Sequence, residues 1–171
     1  MYNVVRLEKM AGTYVADCLY SGKYATVSGE TYTPVAVENG MVGKLGGLIP
    51  GERELHWVTP VAANTKKEDV VLVASPEYMP DSRLKDLGDF RNEADEPIRV
   101  YKLHSGGIFG VTAGCFANST SDAPVVGDIV ELAAGTKWNA VTSATSNSTV
   151  IGSIIAVDVV GTRTYYVVQI D

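Results

Sequence analysis

Val150-Ile151-Gly152-Ser153-Ile154-Ile155-Ala156-Val157-Asp158-Val159-Val160, then Gly161-Thr162, then Arg163-Thr164-Tyr165-Tyr166-Val167-Val168-Gln169-Ile170, reads as two strands joined by a tight turn. β-Branched and aromatic residues dominate both arms, and such side chains fit a pleated surface. Glycine at the first central position suits a type II′ turn, whose backbone twist matches that of the flanking strands. A hairpin is therefore expected between Val150 to Val160 and Thr164 to Ile170. From Tyr165 to Ile170 both strand faces are largely apolar, which predicts a strand covered on two sides.

The same grammar recurs upstream, where short runs of Val, Ile, Tyr and Thr are separated by Gly, Asn, Asp and Ser clusters. Three more hairpins are expected. One joins Thr13 to Leu19 with Tyr24 to Val27 around Ser21-Gly22. A second joins Ile98 to His104 with Ile108 to Thr112 around Ser105-Gly106-Gly107. The third joins Asp128 to Leu132 with Lys137 to Val141, turning at Ala133 to Thr136. Hairpins at this spacing predict a barrel or sandwich.

One segment departs from the pattern. Asp81 can cap a short helix through Ser82 to Leu87, with Leu84 and Leu87 on one face and Gly88 as the stop. The acidic stretch Asp89 to Pro97 then reads as a solvated connection. It divides a single β-rich unit into an N-terminal β region, 1–88, and a C-terminal barrel-like region, 98–171.

Composition narrows the function. The 171 residues are 46% hydrophobic and 20% charged, which is globular, and the net charge of −6 with no basic run argues against binding nucleic acid. No run approaches the roughly 18 apolar residues of a membrane span, and Met1 to Arg6 has no signal-peptide core, so synthesis in a cytoplasm is expected. Cys18 and Cys115 read as buried, reduced thiols, since neither has a metal-spaced partner. The sequons Asn118-Ser119-Thr120 and Asn147-Ser148-Thr149 read as polar loops.

Chemical motifs fail their tests one by one. Gly40, Gly43, Gly46, Gly47 and Gly51 resemble a phosphate loop, but Gly43-Lys44 is followed by Leu45, where a hydroxyl residue is needed. No flanking βαβ unit supports a dinucleotide fold either, so a turn-rich loop with positive φ is expected. His104 and Ser105 are adjacent in a strand and point to opposite faces, which denies them a shared hydrogen bond. Neither His56 nor His104 has a carboxylate or imidazole at ligand spacing, so no metal site is expected. Glu52 and Glu54, and Glu93, Asp95 and Glu96, stand beside Arg53 and Arg91 as mixed surface charge. The expectation is a chain with no catalytic residue, no cofactor and no metal.

Aliphatic and aromatic residues in excess of one small core are the remaining signal. Tyr2, Val4 and Val5 in the first strand, with Leu45, Leu48 and Ile49, are the candidate interface residues. Trp57, Trp138 and nine tyrosines offer a second possibility, an aromatic platform for carbohydrate.

Several stretches carry a resemblance. They are Val37-Glu38-Asn39-Gly40, Gly43-Lys44-Leu45, Leu48 to Glu54, Asp69 to Ala74, Asp89 to Asn92, and Arg99-Val100-Tyr101. Gly127 to Leu132, Gly135 to Trp138, Ile154 to Val157 and Tyr165 to Val168 complete the set. Together they resemble the decoration, or cement, proteins of tailed bacteriophage capsids. The resemblance implies an all-β protein, a β-barrel or β-sandwich of β-tulip-like form, with the one short helix near residues 81–88. It implies a virion protein that binds the major capsid protein on the outside of the head and stabilises the shell, with no cofactor, nucleic acid or membrane involved. A trimer is the favoured homo-oligomer, and the N-terminal strand the expected docking arm. The alternatives are a head-tail or tail structural protein and a carbohydrate-binding β module.

Overall fold

The apolar runs become twelve strands in the computed structural model, which describes residues 1–10, 18–81, 83, 86–118 and 123–171. They are β1 (Val5–Leu7), β2 (Leu19–Ser28), β3 (Thr31–Pro34), β4 (Val42–Leu48), β5 (Leu55–Thr59), β6 (Val70–Val73), β7 (Ile98–Lys102), β8 (Ile108–Thr112), β9 (Ile129–Leu132), β10 (Trp138–Val141), β11 (Val150–Val160) and β12 (Arg163–Ile170). Short 3₁₀ turns lie at Lys67–Asp69, Leu87–Asp89 and Ala113–Cys115. The protein is all-β, as expected.

Two six-stranded sheets hold these strands. The first runs β3-β2-β5-β4-β6-β7, and an additional β2–β7 pairing closes β2, β5, β4, β6 and β7 into a ring, with β3 hanging from β2. Closure removes the free edges that an open sheet would present. The second sheet is open, in the order β1-β8-β12-β11-β9-β10.

Alternation along the barrel strands produces two cores. Tyr24, Val58, Val71, Val73, Ile98 and Val100 point inward and fill the barrel. Val42, Val70, Leu72 and Tyr101 point the other way and join Phe109, Val111, Trp138, Ile151, Ile154 and Val168 of the second sheet in a shared core. All four residues of β6 are therefore buried, Val70 and Leu72 against one core and Val71 and Val73 against the other. Trp138 anchors the shared core, fully buried, its indole N–H donating to the Gly40 carbonyl at 2.8 Å.

The β11–β12 hairpin forms as read, with Val160 opposite Arg163 and Gly161 at φ 62°. The β9–β10 hairpin also forms, with Leu132 opposite Trp138. Two others do not. Ser21 and Gly22 lie inside β2 rather than in a turn, and Thr13 to Asp17 of that expected hairpin lie outside the described residues. A Cβ on Gly22 would stand 2.7 Å from Val58 Cγ2 and 2.8 Å from the His56 carbonyl oxygen. The glycine admits β5, which runs parallel to β2, at close range.

The expected pairing of β7 with β8 is replaced by a change of sheet. β7 pairs with β2 and β6, and β8 pairs with β1 and β12. Ser105 to Gly107 form the corner between them, held by Gly106 N–H donating to the Ile170 carbonyl and Ile170 N–H to that of Gly107. β7 completes the barrel, so the chain passes from one sheet to the other in the 103–107 segment. In the other direction β1 crosses to the second sheet.

The glycine-rich segment also differs from a loop. Gly40 and Gly51 do take positive φ, 84° and 88°, but Gly43, Gly46 and Gly47 belong to β4. Of the expected helix, Ser82, Leu84 and Lys85 lie outside the described residues. What is described is the 3₁₀ turn at Leu87–Asp89, capped by Asp86 Oδ1 accepting from Gly88 N–H, with Gly88 inside the turn rather than ending it.

Candidate protein-binding surfaces

The N-terminal residues are spent within the chain. Val4 and Val5 are 1% and 8% exposed, and Val5 stands opposite Val111 in the second sheet. Asn3 donates from its backbone and its side chain to Glu38 Oε2, at 2.8 and 2.7 Å, while the Thr112 hydroxyl donates to Asn3 Oδ1. Tyr2 N–H donates to the Gly88 carbonyl, and the Tyr2 ring lies under the Arg91 guanidinium at 5.2 Å. This strand clasps the barrel to the second sheet. Val4 and Val5 are corrected accordingly: they are core residues rather than a free arm.

Leu45, Leu48 and Ile49 fall on β4 and the turn after it. Leu45 packs against the barrel core, Ile49 is half-buried, and Leu48 is 49% exposed. Of the six expected interface residues, Leu48 and Tyr2 are thus the exposed ones.

A better-defined surface lies on the barrel wall away from the second sheet. Cross-strand pairing puts Tyr32 of β3 opposite Val27 of β2, and Trp57 of β5 beside Lys23 of β2. Val27 and Lys23 share the outer face, so Tyr32 and Trp57 meet there, stacked with centroids 4.8 Å apart and planes 11° apart. Val27 and Tyr32 are 46% and 40% exposed and Trp57 is half-buried beneath them. The irregular β4 run Gly46-Gly47-Leu48 passes Trp57, with the Trp57 carbonyl 3.0 Å from where a Gly46 Cβ would be. Lys23 is held by Asp95 at 2.8 Å. Trp57 and Trp138 do not share a platform: Trp138 is core, and the partner of Trp57 is Tyr32.

A second apolar surface lies on the β11–β12 hairpin. Ile155, Val157, Val159 and Val160 are 40%, 38%, 73% and 55% exposed, and Val125 and Val126, beside the strand, are 55% and 59% exposed.

Titratable groups are dispersed by comparison. His56 Nδ1 contacts the Gly46 carbonyl at 3.0 Å and its ring meets Tyr20 edge-on. His104 Nδ1 is buried without a hydrogen-bond partner, and Ser105 is exposed in the corner. Among the described residues no three of His, Cys, Asp and Glu gather as metal ligands. Cys18 and Cys115 are both buried, and burial pushes the Cys115 thiol up to about 12, which leaves it protonated and inert at neutral pH. A surface groove of about 700 Å³ runs between Ser75–Pro80 and Phe90–Arg99, but its Arg91 is already paired with Glu93 at 2.7 Å. Among the described residues no helix is long and apolar enough to cross a membrane.

Glu131 is the more deeply buried of two buried carboxylates among the described residues, 1% exposed against 8% for Asp128. Burial alone would raise its pKa. The Thr145 N–H at 2.8 Å, the Thr145 hydroxyl and the Asn139 amide at 3.0 Å outweigh that and hold it below the usual carboxylate range. Its role is to fix the loop after β10.

Compared with protein-family models, curated proteins and solved structures, the chain matches none.

Proposed function

We propose that this chain is a virion structural protein of a tailed bacteriophage, a decoration protein that binds the outer surface of the head and stabilises the shell without catalysing a reaction. The observation that supports this best is the outward patch of Val27, Tyr32 and Trp57 on a closed barrel wall. Stacked aromatics flanked by an aliphatic side chain offer the large, rigid, partly desolvated contact on which protein interfaces depend. The partner in this reading is the major capsid protein. A shell repeats that partner many times, so modest contacts at each site suffice where several copies act together. The net charge of −6 keeps the protein soluble before docking and gives it no affinity for the packaged genome. It is made in the host bacterial cytoplasm and resides on the capsid surface.

Co-sedimentation with expanded, undecorated capsids tests the reading. Binding that saturates at a fixed ratio to capsid subunits is expected, with Tyr32→Ala and Val27→Asp each weakening it at least tenfold. Absence of binding by the intact protein refutes it. The Tyr32–Trp57 stack also keeps a carbohydrate-binding module in view, since a sugar ring packs on an exposed aromatic face. A glycan array separates the two: sugar binding lost in Tyr32→Ala, with no capsid binding, favours the module.

A further inference from the structure

The hairpin surface supports an inference that stands apart from the capsid reading. β11 is covered unevenly along its outer edge. Val150 to Ser153 pair with β9, and Ile154 exchanges hydrogen bonds with Gly127 and Asp128 at 2.8 and 2.9 Å. Beyond that point, among the described residues, β12 is the strand's only neighbour. The free run Ile155-Ala156-Val157-Asp158-Val159-Val160 carries a single charge, and Arg6 reaches it, Nη1 to Asp158 Oδ2 at 3.7 Å.

Hydrogen-bond direction along this edge follows from the turn. Val160 and Arg163 close a two-residue hairpin, so they form a hydrogen-bonded pair and the bonding alternates from there. The N–H and C=O groups of Val157 and Val159 therefore point away from β12, toward the open edge. Their side chains share the face of Tyr166 and Thr164, while Asp158 shares the opposite face with Tyr165 and Arg6.

We propose that two copies of this chain pair edge to edge through β11, antiparallel, about a twofold axis at Asp158. In this register Val157 of each copy stands opposite Val159 of the other, and each such pair exchanges the two N–H···O=C bonds of a ladder. The valines of both copies gather on one face. Gly161 of the second copy then reaches Ile155, one residue short of the position that Gly127 and Asp128 already occupy, so the pairing uses the whole free run. On the other face the two Asp158 carboxylates meet with an Arg6 beside each, which offsets their repulsion. An antiparallel strand pairing with itself is isologous and closes at two copies, in place of the expected trimer.

Sedimentation equilibrium at about 100 μM, where a complex with a Kd of about 10 μM is mostly dimeric, tests this. A dimer is expected for the intact protein. Val159→Pro removes an N–H that β12 does not use, and Val159→Lys places a charge in the seam. Both variants should sediment as monomers with unchanged circular dichroism. Asp158→Cys should form a disulfide-linked dimer under mild oxidation, since the native cysteines are buried, while Glu30→Cys, exposed on the barrel, should not. A monomeric intact protein, a trimer, or a dimer that survives both Val159 substitutions would overturn the proposal.

Discussion

Asn39 is 1% exposed and its amide is fully engaged. Nδ2 donates to the Ser75 carbonyl at 2.8 Å and to Glu77, and Oδ1 accepts from Ser75 N–H and from Asn92 Nδ2. One side chain thus ties together the turns before β4, after β6 and before β7. Asn39→Ala leaves buried donors unpaired and should lower unfolding free energy by about 2 kcal/mol or more in urea denaturation. Glu131 gives a pH dependence. Its folded pKa lies below the unfolded value, so its stabilisation is complete above the ordinary carboxylate range and is lost as pH falls through the folded pKa. Acid should therefore destabilise the intact protein more steeply than Glu131→Gln, measured as denaturation midpoints against pH. Neither residue was legible in the sequence, because an Asn before a Gly and a Glu in an apolar run look the same whether solvated or buried.

At the scale of elements, strands and local hairpins could be read and long-range pairings could not. Gly161-Thr162 and Ala133 to Thr136 join strands that pair with each other, so the turn chemistry carried the whole answer. Gly22 and Gly106 carry the same chemical signal with different causes: one admits a parallel neighbour, the other turns a corner between sheets. Gly22→Ala should accordingly destabilise the barrel by about 1–3 kcal/mol, the usual cost of overpacking, rather than behave as a neutral turn substitution. The N-terminal strand reverses its expected role. Removing Met1 to Val5 strips two buried valines and the Asn3–Glu38 and Thr112 contacts, so it should cost about 3 kcal/mol or more of stability. Chemical denaturation of the truncated chain checks this before any binding assay is interpreted.

Across the whole molecule, a closed barrel and an open sheet share one core and leave two apolar surfaces outside it. The all-β class was legible from composition and turn spacing. The surfaces were not, because the exposed residues Val27, Tyr32 and Val159 have the same amino-acid character as the buried Val58, Tyr24 and Val168. Only sheet order decides which side of a strand is covered. Exposed aromatic and aliphatic groups of this kind are expected to make the molecule bind 8-anilinonaphthalene-1-sulfonate weakly in its native state, and Tyr32→Ala should reduce that fluorescence.

The central claim is that the barrel wall around Tyr32 and Trp57 meets a capsid shell. Electron cryomicroscopy of expanded phage heads saturated with the protein tests it most directly. The account predicts ordered density on the outer surface, with the β2–β3–β5 wall of the barrel against the shell and the β11 edge turned away from it. Density that places this wall in solvent, or a shell that carries none of the protein, would contradict it.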